Sequence, residues 1–193
     1  MSIFDKLKKG AADAVKTAAQ GAANAIGKQE ETFVFKALPE SLAELQALPE
    51  ASLDSPFKTA ALTVCAICAY AADPEIGKEM LNWLRGPRPL GNTDISFLND
   101  RFRDGKTYVP FSYFKGAKPD NDYTPAEPFT LTVFTNPYSA ANEGYMKLFL
   151  ESGGADNPRE IVLRKRESDG KWFLWEQFIL VGIRDPKSAD PWA

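Results

Sequence analysis

Two cysteines, Cys65 and Cys68, stand at the CxxC spacing used by thioredoxin-like redox sites and by some metal sites. Both fall inside a long apolar run, not at a helix N-terminus following a strand. A buried free cysteine behaves as a small hydrophobe, so core packing is the expected role, with redox or metal chemistry as the alternative. The chain has no histidine, which excludes a histidine general base, a histidine-dependent triad and imidazole metal ligation. Two thiolates alone do not close a structural zinc site. The sequence therefore predicts no metal site and no cofactor.

Other chemistry-bearing residues are equally sparse. Asp120-Asn121-Asp122 has the acid spacing of a calcium-loop opening, but the glycine and the later bidentate glutamate are missing, and it reads as a solvated turn. Gly153-Gly154 lacks the phosphate-cradle spacing and precedes a strand. In Arg164-Lys165-Arg166, strand alternation puts Lys165 opposite its neighbours, and the triplet reads as a solvated edge. Glu176 lies in an apolar strand beside Trp175. Burial there would favour an uncharged carboxyl unless an arginine such as Arg101 or Arg164 pairs with it, and the ion pair is the expected state. Arg88, held between Pro87 and Pro89, suits anion binding or a packed loop equally well. Glu176, Trp175, Tyr113, Arg101 and Arg88 are the candidates to line any pocket between the helices and the sheet.

The elements that position these residues follow from periodicity. Pro56 to Ala72 is apolar nearly all round, which predicts a buried central helix with Ser55 as its cap, Pro56 at its first position and Asp73-Pro74 as its stop. A short helix over Pro39 to Leu48 precedes it, and helices over Pro74 to Arg85 and Thr93 to Arg103 follow. From Thr107 the period changes from helix to strand. Strands are expected at Phe33 to Leu38, Thr107 to Tyr113, Phe129 to Thr135, Tyr145 to Leu150, Glu160 to Arg166 and Lys171 to Val181. The last of these is apolar on both faces, so it is expected in the middle of the sheet or curled around the helices. Trp192 is expected to dock. The class is α+β, with helices packed on a mostly antiparallel, twisted meander.

Charge divides the chain. Residues 1–28 carry five lysines against Asp5 and Asp13, leaving 18 basic and 24 acidic residues in the remainder. An acidic main domain over residues 33–193 argues against nucleic-acid binding. Residues 29–32 read as a linker. In residues 1–28, Phe4, Leu7, Ala11, Val15, Ala18, Ala22 and Ile26 follow an 11-residue repeat, which predicts a basic amphipathic helix. Ile3, Phe4 and Leu7 would contact an anionic membrane or a partner, with Lys6, Lys9 and Lys16 above them. A solvated tail, and packing on another copy or on the main domain, are the competing readings. MSIFDKLKKG lacks a secretion h-region, and a cytoplasmic protein is expected, with peripheral contact at the inner membrane surface if the helix binds lipid.

Several blocks carry a resemblance, among them MLNWLRGPRPL, FLNDRF, GYMKLFLESGGADNPREIVLRK and GKWFLWEQFILVGIRDP. They resemble a family of bacterial proteins of unknown function that share a Lys- and Ala-rich leading helix. The resemblance implies a bacterial cytoplasmic protein and transfers no activity. The order of elements is also similar to cone-shaped α+β folds such as the nuclear-transport-factor-like fold, which implies an enclosed pocket. The functional expectation is a non-enzymatic interaction module that binds a protein partner or its own copies. The alternative is an enzyme or small-molecule binder with a pocket between helices and sheet.

Overall fold

The computed structural model describes residues 27–192. Five strands, β1 (Glu30–Phe35), β2 (Phe129–Phe134), β3 (Tyr145–Leu150), β4 (Arg159–Lys165) and β5 (Trp172–Gln177), form one antiparallel sheet in chain order. Four α-helices lie between β1 and β2: α1 (Leu42–Ala47), α2 (Pro56–Ala72), α3 (Pro74–Arg85) and α4 (Asn92–Phe102). The fold is α+β, as the sequence predicts. Its first strand precedes the helices and returns to the sheet as an edge.

Helix α2 has the predicted bounds. Ser55 Oγ accepts from the Phe57 amide at 3.2 Å, and the Asp73 carboxylate accepts from the amides of Glu75 and Ile76, so one residue ends α2 and starts α3. Every residue from Thr59 to Tyr70 is buried. A helix that is apolar all round must be covered on all sides, and α2 packs against α3 and against strands β2 to β5. Its two polar core groups are satisfied. Thr59 Oγ1 donates to the Trp172 carbonyl at 2.9 Å, and Thr63 Oγ1 to the Thr59 carbonyl at 2.8 Å. Each large side chain buried here, such as Leu62 or Ile67, contributes about 1.5–3 kcal/mol.

Three expectations need correction. Thr107 to Tyr113 is not a strand; Arg103–Tyr113 is a run of 3₁₀ turns, opened by Asp104 and Gly105 at φ of 61° and 74°. Its β-branched and aromatic residues mimic a strand, but left-handed backbone and Pro110 prevent ladder formation. The last strand is not central, because β5 is the edge next to β4; it packs against α2 and α3. Trp192 does not dock; it is 93% exposed. In addition, β1 starts at Glu30, within the residues read as a linker.

The long loop after Phe114 also has a structural partner. Tyr123 donates to the Arg184 carbonyl at 2.7 Å and Tyr108 to Asp185 at 2.6 Å. Asp120 pairs with Lys187 at 2.6 Å, and Asp122 accepts from Ser188 at 2.6 Å. The Asp120-Asn121-Asp122 turn thus clasps the segment that follows the sheet. Among the described residues no helix is long and apolar enough to cross a membrane.

The tightest approach in the core is between α2 and α3. A Cβ added at Gly77 would lie 2.2 Å from Tyr70 Cα and 2.3 Å from Tyr70 Cβ, so α3 must move to admit it. Gly77→Ala is expected to destabilise the fold by about 3 kcal/mol, the upper range for overpacking. Urea unfolding of the two proteins measures this. A loss below about 0.5 kcal/mol, the scale of a neutral surface change, would show that the helices do not cross so closely.

Candidate functional site

The most chemically distinctive surface lies where the turn after α3 meets the outer face of β4 and β5. Leu163 pairs with Leu174 and Val162 with Glu176, so Trp175 is an extra residue in β5. A bulge of this kind re-aims a side chain. Here it places the Trp175 indole edge-on to Tyr145, with centroids 5.5 Å apart. Two guanidiniums share that indole, Arg88 at 4.2 Å and Arg164 at 4.8 Å from its centroid, and Arg164 also lies 5.3 Å from the Tyr145 centroid.

Local sequence explains how Arg88 reaches this position. Gly86 ends α3 at φ 57°, where an added Cβ would meet Phe173 at 2.5 Å, and Pro87 and Pro89 stiffen the turn. Arg85, only 7% exposed, donates from Nε to the Arg88 carbonyl at 3.0 Å and contacts Asp94 at 3.4 Å. Burial pulls the Arg85 guanidinium below its ordinary pKa, and Asp94 opposes the shift. Asp94 also caps α4 by accepting from the Gly91 amide at 2.9 Å. Arg88 in turn reaches the Trp175 carbonyl at 3.4 Å. Each cation–π contact is worth about 0.5–1 kcal/mol at an exposed position.

Two open clefts meet at Arg85, Arg88, Leu174 and Trp175. The first, about 470 Å³, is lined by Arg88, Arg164, Lys165 and Arg166 with Glu167 as its acid. Arg166 stacks at 4.5 Å on Phe173 and is paired with Asp169. Arg88, Arg164 and Lys165 have no carboxylate within ion-pair distance among the described residues. The second cleft, about 340 Å³, runs between α4 and residues 174–178, with Ile67 and Leu81 in its floor. Phe97 and Phe178 stand on it at 38% and 43% exposure.

The structure brings Arg88, Trp175 and Glu176 together on this surface and leaves Arg101 and Tyr113 outside it. Glu176 is exposed at the rim, and among the described residues it forms no ion pair with Arg101 or Arg164. Arg101 pairs with Asp100 and lies 5.4 Å over Phe97, its Nε buried without a partner. Tyr113 is a core residue whose hydroxyl donates to the Ile179 carbonyl at 2.6 Å, and burial pushes its pKa up. The cysteines are buried free thiols whose pKa is pushed up by burial, in keeping with a core-packing role. Helix α2 packs against strands β2 to β5 on one face of the sheet, and the cavity between the helices and the sheet is the open cleft along residues 174–178. Ile3, Phe4, Lys6, Leu7, Lys9 and Lys16 lie outside the described residues.

Arg164, Arg166 and Tyr145 escaped the sequence reading as site residues. The available signal was the alternation that puts Arg164 and Arg166 on one face; what it could not supply was the bulge that turns Trp175 toward them.

The hairpin carrying this site is pinned by the Arg166–Asp169 pair. Arg166 beside it holds the Asp169 carboxyl down at about 2. A depressed carboxyl contributes fully above its unfolded value of about 3.9 and loses that contribution as pH falls through the folded value. A carbon-13 titration of the Asp169 carboxyl should show a midpoint of about 2, moving into the ordinary range in Arg166→Ala. An ordinary midpoint in the unmodified protein would show that the pair does not hold the turn.

One protein-family model, described as Domain of unknown function (DUF6935), matches residues 37–187. No curated protein and no solved structure matches the chain.

Proposed function

From the premise that the chain belongs to the DUF6935 family, we propose that it is a non-enzymatic interaction module that binds an acidic segment of a protein partner at the Arg88–Trp175 cleft. The observation that carries this reading is the set of cations Arg88, Arg164 and Lys165, which an otherwise acidic domain gathers around Trp175 with no carboxylate partner among the described residues. A guanidinium stacked on an aromatic ring keeps its N–H edge available and loses little freedom when a carboxylate arrives. The adjoining cleft adds apolar contact through Phe97 and Phe178, the aromatic complement that interface cores favour. Acid–base and nucleophilic candidates do not converge here. Glu176 is exposed, Tyr113 is engaged with a carbonyl, and both thiols are buried.

On this reading the protein is bacterial and cytoplasmic, and residues 1–28 tether it at an anionic membrane surface. The support is their lysine excess and apolar repeat.

Two measurements test the two parts. A fluorescent oligoglutamate peptide should bind the full chain with affinity that falls as salt rises, and Arg88→Glu or Arg164→Glu should each weaken it roughly tenfold. Equal binding of oligolysine, or indifference to both substitutions, would refute the acidic-partner reading. In liposome flotation the full chain should rise with anionic and not with neutral vesicles, and Phe4→Glu/Leu7→Glu should remain at the bottom. A double variant that floats as well as the original protein rules out the tether.

A further inference from the structure

The two edges of the sheet are finished differently. At β5 the Trp172 amide donates to the Leu53 carbonyl at 2.8 Å, the Trp172 carbonyl accepts from Thr59, and the Trp175 carbonyl accepts from Arg88. With its bulge, that edge is sealed against strand addition. Strand β1, at the other edge, has no such device among the described residues. It pairs with β2 without interruption from Glu30 opposite Phe134 to Phe35 opposite Phe129.

The phase of this pairing determines which backbone groups face outward. The Gln29 carbonyl accepts from the Thr135 amide at 2.8 Å. Gln29, Glu31, Phe33 and Phe35 therefore turn their backbone groups toward β2, and Glu30, Thr32 and Val34 turn theirs away from it. Side chains alternate in the other sense. Phe33 and Phe35 are buried in the core, whereas Val34 is 57% exposed on the outer face beside Thr32. An exposed β-branched residue in the middle of an open, unbroken edge is a template for another strand.

We propose that β1 pairs antiparallel with β1 of a second copy of this chain, so that two five-stranded sheets join into one across a two-fold axis. The sequence itself selects the register. Centred on Thr32, the pairing would set Lys28 opposite Lys36 twice. Centred on Val34, it would leave Glu30 and Lys36 unmatched. Centred on Phe33, it sets Glu30 opposite the second copy's Lys36, the residue next to the end of β1, twice and Thr32 opposite the second copy's Val34 twice, with Glu30, Thr32 and Val34 at positions whose backbone groups face outward. Opposite charges and β-branched pairs at directly opposed positions favour pairing, and like charges oppose it. Within one chain Glu30 contacts Lys28 at 3.4 Å, an exposed pair of little energetic weight that can be exchanged for Lys36. A two-fold contact of this kind is self-limiting, because each copy uses its one open edge.

Light scattering on the full chain, run over a range of concentrations, tests the arrangement. Twice the chain mass is expected at high concentration. Glu30→Lys and Lys36→Glu, both at exposed positions, should each weaken the dimer roughly tenfold by facing like charges, and the double exchange should restore it. Val34→Pro should give single chains, since the N–H it removes points away from β2 and the internal ladder stays intact. A single-chain mass at every concentration would overturn the proposal, including the case in which residues 1–26 of the same chain cover the edge. So would a dimer that neither single exchange affects.

Discussion

The fold rests on one requirement, that α2 be dry on every side. A helix of Ala, Val, Leu, Ile and Cys with almost no polar stripe gains from packing whichever way it turns, so it orders its neighbours instead of being ordered by them. Sheet strands β2 to β5 cover one side and α3 covers another, the latter at a distance only glycine at position 77 permits. That arrangement covers one face of the sheet with helix. The open clefts lie at the rim, where the turn after α3 meets the outer face of the β4–β5 hairpin.

At that rim the chain solves a problem created by its own strand. Phe173 and Trp175 are large and face outward on β5, where bare aromatic surface would invite association. Arginines from three places, the proline-flanked turn, β4 and the hairpin end, lie over the rings, and of the three only Arg166 is also paired with an acid, Asp169, among the described residues. The result is a surface that is apolar in substance and cationic in character. Such surfaces suit recognition better than catalysis, because they present fixed donors without a poised proton or nucleophile.

Much of the architecture was legible in local sequence. Ser55-Pro56 and Asp73-Pro74 bracket α2 because capping and proline geometry act over a few residues, and the alternation in Phe129 to Thr135 marks where strands follow the helices. What misled was composition without context. Thr107 to Tyr113 has strand-like residues on a backbone committed to tight turns by Asp104-Gly105, and β5 looks like a central strand because arginines shield its outer face as protein would. The site itself was half legible. Arg88 and Trp175 stood out singly, but their contact depends on a one-residue bulge and on bringing positions 88, 145, 164 and 175 together, which no short window of sequence encodes.

The pairing of β1 with β2 spans the entire helical layer, so it has a consequence for how the protein is made. The strand is among the first described segments to leave the ribosome, yet its partner follows only after roughly ninety intervening residues, a closure costing on the order of 4 kcal/mol in chain entropy. Until then both of its edges are bare and Phe33 and Phe35 have no core to enter. Its order of synthesis is therefore opposite to its order of assembly: the segment translated early is the one that must wait, and α2 with its helical neighbours can consolidate first by local contacts.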